Sequence, residues 1–227
     1  MQKINHWHQF ATADDVADEV TQRILQLAGQ AIAERGQFSL VLAGGGTPEK
    51  IYQRLAQADS AWENWRIYYG DERCLPADDP ERNSVMAQRT LLSQVAIPPA
   101  NIFTMPTELG PVKAAEAYRN VMQSVDSFDL VLLGMGEDGH TASLFPGHEH
   151  DLEESVHEVY NSPKPPPERI SLSAKALSNA RQVYFIVTGA SKVEPLQQWR
   201  TGKSLPVTLI KPVNGVDIFL DAAALGQ

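Results

Sequence analysis

The chain has 227 residues, 43% of them hydrophobic, and its 19 lysines and arginines against 28 aspartates and glutamates give a net charge of −9. This length and hydrophobic content predict a single domain spanning residues 1–227, built around one core. The acidic balance argues against a nucleic-acid-binding protein, which needs a basic surface, and no apolar run reaches the roughly 18 residues of a membrane span.

The start of the chain and its cysteine content bear on the cellular compartment. The amino-terminal residues lack the apolar centre of a secretory signal. A lone cysteine, Cys74, excludes an internal disulfide. Both observations favour a cytosolic protein. The oligomeric state, monomer or small homo-oligomer, has no signature in the sequence.

Apolar runs alternate with helical patterns along the chain. This order predicts an α/β fold with a largely parallel central sheet flanked by helices on both faces, a Rossmann-like open sheet. The predicted strands are residues 38–43, 66–69, 102–104, 128–133, 169–173, 183–188 and 216–220. The predicted helices are one from a Thr12 cap to about residue 34, stopped by Gly36, one ending at Leu55, residues 84–95 with Asn83 as N-cap, 111–125, 174–179, 189–199, and a short terminal helix capped by Asp221. Residues 205–210 fit either a strand or a helical turn, and the polar, proline-ending stretch 148–167 is predicted to be irregular.

The apolar run 128–133 ends in a glycine-rich turn that carries ionisable side chains. Three glycines let the backbone turn at the carboxyl end of a strand, where open α/β sheets bind their ligands. Asp138 and His140 lie in that turn together with Glu137, which suggests a catalytic site. The alternative is an ordinary Asp-Gly turn in which the histidine simply starts a helix at Thr141.

A second glycine-rich motif, AGGGTP, ends the predicted strand 38–43. Glycine amides can approach a bound anion closely, a threonine adds a hydroxyl, and proline suits the first turn of a helix. We therefore predict an anion-binding loop formed by Gly45, Gly46 and Thr47. The motif is neither a P-loop nor a GxGxxG fingerprint, so nucleotide binding is poorly supported. The alternative is a glycine-rich turn that holds no ligand.

The sequence GDER follows the predicted strand 66–69. Asp71 could orient a sugar hydroxyl or a water molecule, and Arg73 could bind phosphate or carbonyl oxygen through its guanidinium. The alternative is a solvated charged loop. We interpret the adjacent Cys74 as a small packing residue and not as a nucleophile, because no Cys-His signature accompanies it.

Two further basic residues are candidates for contact with an anion. Lys192 lies near the start of a predicted helix, where a cation opposes the helix dipole and so suggests an anion to meet. Its alternative is a flexible exposed lysine. Arg169 opens a strand after the proline run. The HEHD sequence of residues 148–151 contains metal-ligand types without a third fixed partner, so we predict no metal.

Together these motifs resemble the 6-phosphogluconolactonase family over nearly the whole chain. The matching sequences, in family order and spacing, are AGGGTPEKIY, GDERCLPADDPERN, LVLLGMGEDGHTASLFPG, RISLS and VTGASK. The resemblance implies a glucosamine-6-phosphate deaminase-like fold and hydrolysis of 6-phospho-D-glucono-1,5-lactone to 6-phosphogluconate, the second step of the oxidative pentose phosphate pathway, without a cofactor. Two positions depart from the common family pattern. Gly46 stands where serine or arginine is frequent, and Arg82 where serine often precedes Asn83.

The resemblance also implies roles for individual residues. It makes His140 the general base and gives the acidic site residues as Asp138 and Asp71. It implies basic substrate contacts from Arg73, Arg169 and Lys192.

The implied chemistry fits the residue types. Hydrolysis of a δ-lactone, a cyclic ester, needs a positioned water, a base for its proton and donors for the oxyanion. Because no GxSxG elbow is present, we favour direct attack by water over an acyl-enzyme. We hypothesise that one ring nitrogen of His140 activates the water, that a carboxylate orients the imidazole, and that the anion-binding loop holds the phosphate.

Two other functions remain open from the sequence. Glucosamine-6-phosphate deaminases share a GGTP-like loop and a DGH turn, but there the sequence continues towards IAFNEP, whereas here it is TASLFPG. A non-catalytic sugar-phosphate sensor would not need Asp71, Asp138 and His140 together. Whether the proline run 163–167 forms a mobile lid is also open.

Overall fold

The computed structural model describes residues 2–149 and 154–227 and contains two β-sheets. The strands are β1 Ile4–Phe10, β2 Phe38–Leu42, β3 Trp65–Tyr69, β4 Asp71–Arg73, β5 Phe128–Gly134, β6 Val156–Val159, β7 Arg169–Leu172, β8 Ala180–Val187 and β9 Val216–Asp221. Six of them form a parallel sheet in the order β1-β9-β8-β5-β2-β3. All residues of β2 are buried, and because successive side chains point to opposite faces, both faces of this sheet are covered. The predicted α/β fold with a largely parallel sheet is confirmed.

Helices connect the strands of the parallel sheet. They are α1 Ala13–Arg35, α2 Gly46–Leu55, α3 Asn83–Ala87, α4 Pro111–Met122, α5 Ala174–Ser178 and α6 Val193–Arg200. A π-helical turn over Gln88–Leu92 continues α3, and short 3₁₀ turns cover Ala190–Lys192, Pro206–Leu209 and Ala223–Leu225. The ambiguous segment 205–210 is therefore a helical turn. Within the described part of the chain, no helix has the length and apolar character needed to cross a membrane.

Both ends of α1 follow the sequence prediction. Thr12 Oγ1 accepts a hydrogen bond from the Asp15 backbone amide at 3.1 Å, and the Asp15 carboxylate accepts one from the Thr12 amide at 2.9 Å. This reciprocal capping box satisfies amides that the first helical turn leaves without partners. Gly36 ends the helix in the left-handed conformation, with φ of 76°.

The strand order reverses at β2, and this reversal places the functional cleft. After β2 the chain adds β3 on one side, and it later places β5 on the other side before continuing outwards through β8 and β9. Loops that leave the carboxyl ends of β2 and β5 run in opposite directions, so a crevice opens between them. The two glycine-rich motifs identified in the sequence follow these two neighbouring strands.

The second sheet is antiparallel, in the order β4-β7-β6. In it Asp71 pairs with Ser171 and Arg73 pairs with Arg169. The solvated loop, which the sequence left open as the alternative for the GDER segment, is therefore excluded, because Asp71–Arg73 pairs with β7. The stretch 148–167 was likewise expected to be irregular, yet Val156–Val159 forms β6.

Four other local features differ from the interpretation of the sequence, as a missed strand, two wrong predictions and an excluded alternative. The chain begins with a strand, β1, that the mixed sequence INHWHQF did not reveal. Residues 102–104 form only an isolated bridge, between Ile102 and Ile67. Asn83 is the first residue of α3, with Arg82 at the N-cap position. No helix starts at Thr141, because Ala142 adopts a left-handed backbone, with φ of 47°.

The capping box of α1 supports a stability prediction. Thr12→Ala removes the accepting hydroxyl and should lower the free energy of unfolding by about 1 kcal/mol. Thr12→Ser, which keeps that hydroxyl, should stay close to the parent protein. Urea unfolding followed by circular dichroism measures both variants, and equal losses for the two would contradict the assigned cap.

Candidate active site

A cleft of about 230 Å³ lies at the carboxyl ends of β2 and β5. Most of the sequence-predicted site residues line it, namely Gly45, Asp71, Arg73, His140, Arg169 and Lys192. Gly46 lines an adjoining cleft that shares Gly45 and Arg73 with the first. Asp138 and Thr47 line neither cleft. Asp138 contacts His140, which lines the first cleft, and Thr47 contacts Thr188, next to the turn that carries Lys192.

The turn after β5 holds the imidazole of His140 in one orientation. The Gly136 amide donates to the His140 carbonyl at 2.8 Å, and the Thr141 hydroxyl donates to the Gly134 carbonyl at 2.8 Å. A Cβ atom on Gly136 would lie 2.0 Å from His140 Nδ1, so only glycine lets the ring pack this closely on the backbone. The other side of the ring faces Phe145, with 4.7 Å between the ring centres.

Asp138 determines which nitrogen of His140 is available for chemistry. Its Oδ1 lies 2.5 Å from His140 Nδ1 and 3.1 Å from the His140 amide. Burial acts to raise the pKa of the Asp138 carboxyl, but the His140 amide and the imidazole outweigh that effect, and the pKa is lowered. An ionised Asp138 accepts the proton of Nδ1–H, which leaves Nε2 of the neutral ring with a free lone pair.

The anion-binding loop begins α2. Gly45 has φ of 112°, a backbone conformation that residues with side chains rarely adopt, and no side chain in the described part of the chain caps the helix. The first amides of a helix point outwards at its positive end, so they are suited to an anion. The Thr47 hydroxyl lies 2.6 Å from the hydroxyl of Thr188, which directly follows β8, and this contact joins the loop to the turn that carries Lys192.

The three basic candidates, Arg169, Arg73 and Lys192, differ in how far their charged groups are already engaged by other protein atoms. Arg169 is 5% exposed, and its guanidinium donates to the carbonyls of Lys164, Pro165 and Pro166, so it holds the proline run in place. Burial lowers its pKa, against the raising effect of Asp71. Arg73 donates through Nη1 to the Glu81 carbonyl, while its buried Nε has no hydrogen-bond partner among the residues that the structure describes.

Of these three residues, Lys192 is the one whose charged group is most available to a bound anion. It ends the 3₁₀ turn Ala190–Lys192, and within residues 2–149 and 154–227 it forms no ion pair. Burial lowers the pKa of its ammonium, while Glu137 acts to raise it. Glu137 is itself paired with Lys164 of the proline run.

A buried carboxylate, Glu72, organises the GDER strand, and no local sequence pattern reveals this role. Glu72 is fully buried and accepts hydrogen bonds from the amides of Arg73, Asn83 and Ser84, at 2.8 to 2.9 Å. It thereby caps α3 from a distant strand. The guanidinium of Arg82, 3% exposed, lies 3.6 Å from Glu72 and balances its charge. Arg82, which stands where the family often has serine, thus helps to hold Glu72 beneath the site.

Asp71 is also held by residues that sequence patterns did not single out for this role. Asn83 Nδ2 donates to Asp71 Oδ1 at 3.1 Å, and the Ser143 hydroxyl donates to Oδ2 at 2.6 Å. The motif DGHTAS contains Ser143, but only the fold brings it to a residue 72 positions away.

A nucleophilic cysteine and a metal centre find little support among the described residues. Burial raises the pKa of the Cys74 thiol to about 11, so the reactive thiolate is scarce near neutral pH. Among the described residues, no three potential metal-ligating side chains come together. Of the HEHD sequence, His150 and Asp151 lie outside the described residues.

The chain matches one protein family over most of its length. The sequence model of the family described as glucosamine-6-phosphate isomerases/6-phosphogluconolactonase matches residues 11–219. A 6-phosphogluconolactonase of Synechocystis is 40% identical over 186 residues, which cover 78% of this chain and 75% of that protein. The human 6-phosphogluconolactonase is 33% identical over 233 residues, which cover 95% of this chain and 90% of that protein.

Solved structures agree with the sequence relatives. A 6-phosphogluconolactonase from Thermotoga maritima superposes with a TM-score of 0.88 at 28% identity, covering 95% of this chain and 100% of that one. A monomeric glucosamine-6-phosphate deaminase superposes with a TM-score of 0.80 at 19% identity, covering 99% of each chain, which shows a shared fold alone. The deaminase-like fold expected from the sequence is thereby confirmed.

The packing of His140 on Gly136 can be tested by comparing Gly136 with Gly134, the last residue of β5. Gly136→Ala places a methyl group 2.0 Å from Nδ1 and should displace the ring from Asp138. Gly134→Ala is the matched control, since a Cβ there meets nothing within 4 Å. NMR of the His140 ring C–H groups should show large shifts only in the Gly136 variant. Unchanged His140 signals in that variant would contradict the described geometry.

Proposed function

Since this chain belongs to the glucosamine-6-phosphate isomerase/6-phosphogluconolactonase family, we propose that it hydrolyses 6-phospho-D-glucono-1,5-lactone to 6-phospho-D-gluconate. This reaction is the second step of the oxidative pentose phosphate pathway. The observation that carries the proposal is the Asp138–His140 pair, whose imidazole lines a cleft that also contains Arg73 and Lys192. The cytosolic location expected from the sequence stays a prediction.

His140 serves as the general base. Its Nε2 takes a proton from water as the water oxygen attacks the lactone carbonyl carbon, and Asp138 stabilises the imidazolium that forms. The tetrahedral oxyanion then collapses, the bond between that carbon and the ring oxygen breaks, and the imidazolium returns its proton to the leaving oxygen. The products are the carboxylic acid, which ionises, and the freed sugar hydroxyl.

The other end of the substrate is a phosphate dianion. The chain has a net charge of −9, so binding of an anion depends on local positive charge. The amides that begin α2 and the ammonium of Lys192 supply it, because the contact between Thr47 and Thr188 brings the two turns together. Arg73 completes the basic lining of the cleft.

Replacement of the base gives the direct test of this proposal. His140→Ala should lower kcat by about 10²- to 10⁴-fold with little change in fold. His6→Ala, at an exposed position of β1, is the control. Turnover is followed as lactone loss above spontaneous hydrolysis, with glucosamine 6-phosphate assayed in parallel for ammonia release. Near-normal turnover in a folded His140 variant would reject the mechanism, and ammonia release by the parent enzyme would favour the deaminase.

The role of Lys192 can be tested through product binding and pH. Lys192→Met should weaken binding of 6-phosphogluconate by about tenfold or more, because a charged contact to phosphate is lost. Burial lowers the Lys192 pKa, so its contribution is complete below that pKa and is lost as the pH rises through it. Calorimetric affinities from pH 7 to 10 should therefore fall more steeply in the parent protein than in the variant.

Lys203→Met is the matched control for that experiment. Lys203 is exposed and contacts Gln198, away from the residues that line the cleft. The phosphate stays a dianion across this pH range, because its second pKa is about 6. Equal affinities and equal pH slopes in the parent protein and the Lys192 variant would show that this lysine does not bind the phosphate.

A further inference from the structure

The Asp71 carboxylate lines the cleft but is only 7% exposed, and both of its oxygens are held from the protein side. Ser143 donates to Oδ2 at 2.6 Å, a length typical of a hydroxyl bonded to an ionised carboxylate. Asn83 donates to Oδ1 at 3.1 Å and to the Asp71 carbonyl at 2.9 Å. These two donors come from different parts of the chain, the loop after β5 and the start of α3.

Ser143, which donates to Asp71, is itself buried and held by a hydrogen bond. It is 1% exposed, and its amide donates to the Ser171 hydroxyl at 3.3 Å. Ser171 is the β7 residue that pairs with Asp71 across the antiparallel sheet. The backbone just before Ser143 turns through the left-handed conformation of Ala142, which is uncommon for a residue with a side chain. The loop thus adopts a restricted conformation that directs the Ser143 hydroxyl to Asp71.

Asn83, the second donor, is seated against the anion-binding loop. A Cβ atom on Gly44 would lie 2.2 Å from Asn83 Oδ1, so the absence of a side chain at Gly44 allows this approach. The Asp71 carboxylate is therefore connected to the loops that follow β2 and β5, the two strands that flank the crevice. Its rotation is restricted from both sides.

The Asp71 carboxylate, held in this way, can still accept further hydrogen bonds. A carboxylate offers about four lone-pair directions, and Ser143 and Asn83 occupy two of them. Arg169 Nη1 lies at 3.9 Å, beyond hydrogen-bond distance. The ligand chemistry that suits the remaining directions is a hydroxyl donor, as found along the carbon chain of a sugar lactone.

We propose that Ser143 is a positioning residue, which orients the Asp71 carboxylate so that it accepts a hydrogen bond from a substrate hydroxyl. This inference rests on the proposed lactonase function and assigns Ser143 no contact with the substrate. Because Ser143 acts through Asp71, its removal matters only while Asp71 is able to accept such a bond.

A double-mutant cycle tests this dependence. Ser143→Ala should lower kcat/KM for the phosphorylated lactone by about tenfold, the effect expected when a charged acceptor loses a donor that aligns it. In an Asp71→Asn background the same change should alter kcat/KM by less than about twofold, because residues that act as a unit are not additive. Ser143→Cys keeps the shape of the side chain and a weak donor, and it should give an intermediate loss in the parent background.

Ser173→Ala is the control for a purely structural effect. Ser173 is also fully buried, and its hydroxyl caps α5 by accepting from the Ala176 amide at 3.1 Å, with no contact to Asp71. It should lower the unfolding midpoint but leave kcat/KM within about twofold of the parent value.

The outcomes separate this inference from the proposed function. If the parent protein hydrolyses the lactone but Ser143→Ala behaves kinetically like Ser173→Ala, the positioning role is wrong. It is also wrong if the Ser143→Ala loss is equally large in both backgrounds. Should the alanine variant fail to fold, full parent-like kcat/KM in Ser143→Cys would overturn the role. Absence of lactone turnover in the parent protein would instead reject the proposed function itself.

Discussion

The contact between the His140 imidazole and the backbone of Gly136 is the constraint on which the candidate site depends. The ring lies where a Cβ atom of residue 136 would be, so glycine is required there. In this position Nδ1 meets Asp138 at 2.5 Å, so the proposed general base acts through Nε2. A histidine free to rotate would present either nitrogen, and the proton could not be delivered to a defined place.

The residues around the cleft are held by contacts between segments far apart in sequence. The hydroxyls of Thr47 and Thr188 join the anion-binding loop to the Lys192 turn, and Ser143 joins the β5 loop to Asp71. Beneath them, buried Glu72 fastens β4 to the start of α3. The general physical requirement is preorganisation, because a site already aligned before substrate arrives needs little reorganisation during reaction.

Local signals in the sequence predicted local structure well. The helix cap at Thr12, the stop at Gly36 and the apolar run of β5 each depend on neighbouring residues, and all three appear in the structure. The presence of His140, Asp71, Arg73 and Lys192 around one cleft agrees with the expectation that motifs at strand ends converge. That expectation needs only the parallel order of the strands.

What the sequence could not reveal depends on partners distant along the chain. The GDER segment reads as a charged loop until β7 pairs with it, and α3 takes its cap from Glu72 and not from Asn83. No helix follows His140, because Ala142 adopts a left-handed backbone and Ser143 turns towards Asp71. The edge strand β1 carries polar and apolar residues in mixed order, so no periodicity marks it.

The orientation of His140 can be measured directly by ¹⁵N NMR of the imidazole nitrogens in the free protein near neutral pH. The Asp138 contact predicts the tautomer with the proton on Nδ1 and an unprotonated Nε2, and Asp138→Asn should abolish this preference. A neutral ring with its proton on Nε2 in the parent protein would contradict the central claim, since that nitrogen could not then accept a proton from water.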